Sequence, residues 1–149
     1  MLRLVYLAYE IYNFIFRPVL FGVRVLLVKD DQVLLVRHTY KKGWHLPGGG
    51  LKRGETVEEA ARREAREETG AELRSIRLVG IFSDLEDGFN GHNILFASND
   101  FEIVGPHDHE IAEARFFPLD TLPDDLPPGQ RRRVEEYKAV TQQPACGKW

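Results

Sequence analysis

The apolar positions change their spacing several times along the 149 residues, and each change marks an element. In residues 1–16, Arg3, Glu10 and Arg17 recur seven apart with Asn13 beside them, so a helix there carries one narrow polar stripe and a broad apolar face. Pro18 closes that helix, because the residue before a proline avoids helical geometry. Val19–Val28 and Gln32–His38 are β-branched and leucine-rich runs that predict two strands, with Lys29-Asp30-Asp31 as the polar turn between them. Thr39–Gly43 is a loop with two lysines, and Pro47, Gly48, Gly49 and Gly50 place bare backbone ahead of the next helix. From Val57 to Glu68 nearly every residue is a good helix former. Thr56 and Glu59 make a capping box at its start, and Gly70 supplies the left-handed position that ends it. Val57, Ala60, Ala61 and Ala65 form a small apolar stripe that lets this helix lie close against a sheet.

Beyond Gly70 the pattern predicts strands over Leu73–Ser83, Asn93–Glu102 and Ala112–Phe117. Asp84–His92, Gly105–Glu110 and the proline-punctuated Pro118–Pro128 are the connections. Gln130–Val140 is a final helix with Val134 and Tyr137 on one side. Strands, one helix, more strands and a terminal helix describe an α+β layered domain rather than a repeating βαβ one.

Composition changes this picture little. The length suits one domain, and 43% hydrophobic with 29% charged residues is ordinary for a globular protein. A net charge of −3 gives no reason to expect a nucleic-acid polymer as partner. The one cysteine, Cys146, cannot form an internal disulfide, which makes a cytoplasmic setting the default. Charges break the first apolar run well short of the roughly 18 residues that span a bilayer, and no signal-peptide pattern follows it. Residues 1–17 are therefore expected to pack on the domain or on a second subunit, making a homodimer. A membrane-surface role is the minority reading, which flotation with liposomes would test.

The chemistry lies on the first helix after the glycines. Glu64, Glu67 and Glu68 stand at i, i+3 and i+4, so three like charges share one face and repel. A hard divalent cation turns that repulsion into attraction, because carboxylate oxygens are the ligands Mg²⁺ and Mn²⁺ prefer. A solvated glutamate-rich helix explains the charges, but not the glycines ahead of it or the fixed offsets.

Those offsets resemble the Nudix box, G-x5-E-x7-R-E-U-x-E-E-x-G-U. Gly49, Glu55, Arg63, Glu64, Glu67, Glu68 and Gly70 fill its charged and glycine positions, and Ala65 and Ala71 fill the bulky aliphatic ones with smaller side chains. The resemblance implies an α/β/α sandwich with a mixed sheet over about residues 18–140, with residues 1–16 as an addition. It implies hydrolysis of a nucleoside diphosphate linked to another moiety, with Mg²⁺ or Mn²⁺ as cofactor. It makes Glu64, Glu67 and Glu68 the metal ligands, helped by a carbonyl of Gly48 or Gly49. Arg63, one position before the first ligand, points elsewhere on the helix and orients a box glutamate, with Glu55 in support; an ordinary i,i+4 pairing with Glu59 or Glu67 is the plainer reading. The general base is a box glutamate or an acid from a later loop, where Asp108 and Glu110 are the candidates and Glu110 is favoured.

Other residues carry two readings each. Trp44 either stacks on a base or anchors its loop in the core. His45 belongs to the approach to the glycines and is a candidate for substrate contact. Arg37, Lys41 and Lys42 could meet phosphates from the rim, or stay solvated. Arg131-Arg132-Arg133 reads as a solvated face with Glu135 and Glu136 nearby. Zinc is disfavoured for His45, His92, His107 and His109, since neither cysteine nor a helical His-x3-His accompanies them. Downstream, Glu86, Asp87 and Gly88 occupy the region where ADP-ribose hydrolases carry a proline and diadenosine polyphosphate hydrolases a tyrosine. No pattern of NADH or coenzyme A hydrolases is found either. The short chain favours a small nucleotide substrate of the MutT kind, a nucleoside triphosphate. An ADP-ribose or nucleotide-sugar pyrophosphatase is the alternative, and a Nudix-fold sensor without catalysis the third reading.

Overall fold

The computed structural model describes residues 2–16, 19–85, 90–138 and 143–149. Helix α1 (Leu2–Phe16) precedes strands β1 (Leu20–Lys29) and β2 (Gln32–His38), followed by helix α2 (Val57–Thr69). Then come β3 (Ala71–Leu73), β4 (Arg77–Asp84), β5 (Gly91–Ser98), β6 (Phe101–Ile103), β7 (Ile111–Pro118), α3 (Pro128–Lys138) and β8 (Ala145–Lys148). A six-stranded mixed sheet runs β7-β2-β1-β5-β4-β8, and β3 pairs with β6 separately.

The two helices cover opposite faces of this sheet, which makes the layering α/β/α. Alternation along β1 sends Val23, Val25 and Leu27 toward Ala60, Ala61 and Ala65 of α2. Leu26 and Val28 go the other way, with Leu35 and Leu95, onto Val134 of α3. Tyr137 joins that second layer, as the spacing with Val134 implies. Alanines on α2 leave no bulk between helix and sheet, and this closeness later matters for the carboxylates on the same helix.

Local chemistry explains most of the boundaries. Asp30 and Asp31 both take positive φ, 51° and 57°, the geometry that a two-residue turn between twisted strands needs. Glu59 N donates to Thr56 Oγ1 at 3.2 Å and Thr56 N to Glu59 Oε2 at 2.8 Å, completing the capping box. Gly70 ends α2 at φ 71°, where a Cβ would also stand 1.9 Å from the Gly105 carbonyl oxygen. α3 begins at Pro128, two residues before the expected start, because proline suits the first helical turn.

Several expectations are corrected. The single strand over Leu73–Ser83 is two, β3 and β4, because the N–H groups of Arg74 and Ser75 turn to the Asp100 carbonyl and break the run. Asn93–Glu102 divides likewise at Ser98, whose hydroxyl caps a turn onto Asp100. β8 has no apolar period to announce it: all four residues are exposed, and it forms by parallel pairing to β4. Of Arg131–Arg133, expected as a solvated face, only Arg132 is exposed. Arg133 is buried over the Phe82 ring with Glu136 at 2.9 Å, while Arg131 and Arg132 donate to the carbonyls of Pro123 and Trp149.

Among the described side chains of α1, Leu4, Val5, Leu7, Tyr9, Ile11 and Ile15 are exposed, so the apolar face is not covered by the helix's own domain. Tyr6 lies 6.0 Å from the Tyr40 ring. No helix among the described residues is long and apolar enough to cross a membrane. The closing role of Pro18, the side chains of Arg3 and Asn13, the end of the last helix at Val140 and the marker positions Glu86, Asp87 and Gly88 lie outside the described residues.

Candidate active site

The glycine segment reaches the centre of the fold by wedging between two strands. β1 and β2 pair only at Val28↔Val33 and Lys29↔Gln32, and residues 45–50 fill the gap they leave. His45 bridges Val36, while Val25 and Val23 donate to the Pro47 and Gly49 carbonyls at 2.9 Å. The wedge demands bare backbone. A Cβ on Gly48, at φ 149°, would stand 2.1 Å from the Val23 oxygen, and one on Gly49 would stand 2.6 Å from Glu64 Oε1. The main chain therefore lies directly against the carboxylates of α2.

Those carboxylates are held from several sides. Glu64 and Glu68 are each only 8% exposed, whereas the Glu67 side chain is 41% exposed. Arg63 gathers three acids. Glu55 accepts from its Nε at 2.7 Å and Nη2 at 3.0 Å, and Nη1 donates to Glu64 at 2.5 Å and Glu67 at 3.0 Å. The expectation that Arg63 points away from Glu64 is thus corrected, since its long side chain curls back over the helix edge. Of the two plainer partners only Glu67 is used; Glu59 is engaged by the cap. Glu68 is fixed at both oxygens: Gly48 N donates to Oε2 at 3.0 Å, and His38 Nε2 lies 3.0 Å from Oε1. His38 Nδ1 is buried without a partner, so a proton on Nε2, donated to Glu68, satisfies more of the ring.

The electrostatics follow from this geometry. Burial pushes the Glu64 carboxyl up; the Arg63 hydrogen bond opposes this and the charges of Glu68 and Glu67 add to it. Glu55 goes the other way, down to about 2 from an ordinary 4.5, through its hydrogen bonds to Arg63 and to the Lys52 N–H. A depressed carboxylate contributes stability that is present above its unfolded value and lost as pH falls through the folded one. Glu55→Gln is therefore expected to lower stability at neutral pH and to flatten the loss between about pH 4.5 and 2, measured by urea unfolding across that window.

The loop after β6 adds one more acid. Asp108 N donates to the Glu67 carbonyl at 2.8 Å, tying this loop to the end of α2. Asp108 Oδ1 accepts from Glu110 N at 3.0 Å, so its carboxylate serves the turn. The Tyr40 hydroxyl is pushed up to about 12 by burial, then by the charges of Glu110 and Glu68.

The remaining candidates divide. Trp44 is buried edge-on against Phe117 at 4.8 Å, with the Arg37 and Arg115 guanidinium groups over its ring. Arg37 also pairs with Glu113 at 2.6 Å and sits on the face of β2 opposite His38, away from the carboxylates. His45 uses both ring nitrogens, at 2.9 Å to the Lys42 carbonyl and 3.2 Å to Gln130, and burial lowers it to about 4, so it is neutral at ordinary pH. It still borders a cavity of about 540 Å³ beside the glycine segment, along with Arg24 and Lys41. Neither this cavity nor a larger cleft of about 970 Å³ at the β1–β2 turn is lined by a box carboxylate.

Sequence reasoning missed His38, Tyr40 and Arg24. Arg24 did leave a signal, being the one charge inside the apolar run from Leu20 to Val28. Its Nη1 donates to the Gly48 carbonyl at 2.7 Å, which braces the wedge.

Among the described residues no three His, Cys, Asp or Glu side chains form a finished cation cage, since Arg63 draws Glu64 and Glu67 to itself. The donor set nevertheless fits a hard divalent ion. Two buried carboxylates and a third at the rim stand on one edge, and burial raises the cost of the Glu64 charge in the absence of a cation.

The family model described as the NUDIX domain matches residues 18–137. The chain belongs to the NUDIX hydrolase family. NUDIX hydrolases generally use a divalent metal, in keeping with that donor set. Among similar proteins, an ADP-ribose pyrophosphatase of Methanocaldococcus jannaschii is 35% identical over 106 residues, 66% of this chain and 61% of that one. The NAD-capped RNA hydrolase NudC of Escherichia coli is 32% identical over 125 residues, 78% of this chain and 46% of its own length. This chain thus spans less than two thirds of either relative. The crystal structure of a MutT NUDIX hydrolase from Burkholderia pseudomallei superposes with a TM-score of 0.68 at 27% identity, covering 78% of this chain and 95% of that one.

Proposed function

We propose that this NUDIX chain hydrolyses the pyrophosphate linkage of a nucleoside diphosphate joined to another moiety, using Mg²⁺ or Mn²⁺, with a nucleoside triphosphate as substrate in the MutT manner. One observation carries the reading: Glu64, Glu67 and Glu68 share one edge of a capped helix, against bare glycine backbone and braced by the Arg63–Glu55 pair.

In this reading Glu64, Glu67 and Glu68 hold the metal with a carbonyl of Gly48 or Gly49. Once bound, the ion neutralises phosphate oxygens that otherwise repel a nucleophile. Arg63 and Glu55 keep the carboxylates fanned, and His38 with Gly48 N keeps Glu68 aimed. Glu110 takes the proton from the attacking water, because its charge is felt at Tyr40 together with that of Glu68 while Asp108 serves its turn. Trp44 anchors the loop with Arg37 held over its ring away from the carboxylates, and His45 meets substrate only from the edge of the site.

The relative named an ADP-ribose pyrophosphatase supports the second substrate reading. The sensor reading is disfavoured, because each box carboxylate is present. A nucleotide panel run with Mg²⁺ in oxygen-18 water, with products identified, separates these: triphosphates turned over to monophosphates support the MutT reading, and tight binding without turnover supports a sensor. Glu110→Gln is expected to cut turnover by about 10²–10³-fold with little change in KM, read from steady-state kinetics. Near-normal turnover would make Glu110 an ordinary loop acid.

A further inference from the structure

The cavity beside the glycine segment carries more positive charge than cleavage of a pyrophosphate uses. Arg24, Lys41, Arg132 and Lys148 line it, against one carboxylate, Asp84, among the described lining residues. These cations come from four separate places in the chain: β1, the loop after β2, α3 and β8. The fold has therefore gathered them; no run in the sequence delivers them together.

The cavity has a near end and a far end. Arg24 marks the near end, bonded to the Gly48 carbonyl and sensing the charges of Glu68 and Glu64. Arg132 and Lys148 mark the other, beside Trp149, whose carbonyl accepts from Arg132 at 3.0 Å. Pro128, Gly129 and Gln130 place the positive end of α3 in the same wall. Gly129 is what lets Trp149 close in, because a Cβ there would stand 2.6 Å from the indole.

We propose that this cavity binds a phosphate monoester carried by the substrate outside its scissile pyrophosphate, with Arg132 and Lys148 as the residues that select it. The proposal rests on the hydrolase reading above in its second substrate form, a nucleoside diphosphate joined to another moiety. It refines that class: a nucleotide bearing a further phosphate on its sugar is bound in preference to its unphosphorylated counterpart. A neutral base in the same space would stack on Trp149 but bring no negative charge to Arg132 and Lys148.

The test uses matched pairs differing by one phosphate: ADP-ribose against ADP-ribose 2′-phosphate, and dephospho-coenzyme A against coenzyme A. Binding to the full-length protein is measured by titration calorimetry in EDTA, where no turnover occurs, and kcat/KM is measured separately with Mg²⁺. In at least one pair the phosphorylated member is expected to bind about tenfold more tightly. The combined variant R132Q and K148Q should erase that gain while leaving the unphosphorylated member's affinity unchanged, with its melting curve as the folding control. Equal binding within both pairs, or a gain that survives in the variant, overturns the proposal. Absence of hydrolysis in both pairs with the binding difference intact would instead sink the second substrate reading. Absence across the nucleotide panel as well would sink the hydrolase reading, and neither result touches the phosphate site.

Discussion

Glu67→Gln is expected to lower turnover by about three orders of magnitude while the protein melts as the parent does. The rate loss corresponds to roughly 4 kcal/mol, the scale of charge stabilisation that a properly held metal provides. Glu67 is the right position to separate chemistry from folding, because its side chain is 41% exposed and its partners are Arg63 and Lys52 at the rim. Glu68→Gln should match the rate loss and add a stability cost of about 1–3 kcal/mol. Both Glu68 oxygens accept, from Gly48 N and toward His38 Nε2, and an amide can offer only one acceptor to those two donors. Steady-state kinetics with Mn²⁺ titration, alongside urea unfolding, distinguishes the two variants. Normal turnover in Glu67→Gln would remove that carboxylate from the metal site.

Gly48→Ala is expected to do the largest damage to the fold. A Cβ at φ 149° is strained, and here it would also stand 2.1 Å from the Val23 oxygen and 2.9 Å from Arg24 Cα. The neighbouring atoms are backbone of a central strand, so they cannot swing aside as a side chain would. Strain and displacement together cost roughly 2–5 kcal/mol, enough to unfold a marginally stable domain. The same change pulls Gly48 N from Glu68 and its carbonyl from Arg24, so any folded fraction should also turn over poorly. Gly50→Ala is the control, because a Cβ there meets nothing within 4 Å. Equal melting temperatures for the two variants would refute the wedge argument.

The box helix was readable because its determinants are local. Thr56, Glu59 and Gly70 fix its ends within a few residues of themselves, and three acids at i, i+3 and i+4 share an edge wherever the helix lies. The alternation that sorts Val23 and Val25 from Leu26 and Val28 is equally a property of one strand. The splitting of the runs at Arg74 and Ser98 depended on Asp100, which lies 26 residues from the first.

The sequence alone thus determined the helix, its acidic edge, the glycines before it and the layered architecture, since each follows from neighbours along the chain. Only the tertiary structure decided that Arg63 clasps Glu64, that His38 holds Glu68, that Asp108 serves a turn and that four distant cations share one cavity. The clasp at Glu64 and the turn at Asp108 are short-range but follow from side-chain rotamers that no period encodes. The Glu68 contacts depend on which strands splay apart to admit residues 45–50 and on groups meeting across 20 to 30 positions of chain. No spacing rule reaches that far, because the contacts are set by packing rather than by period.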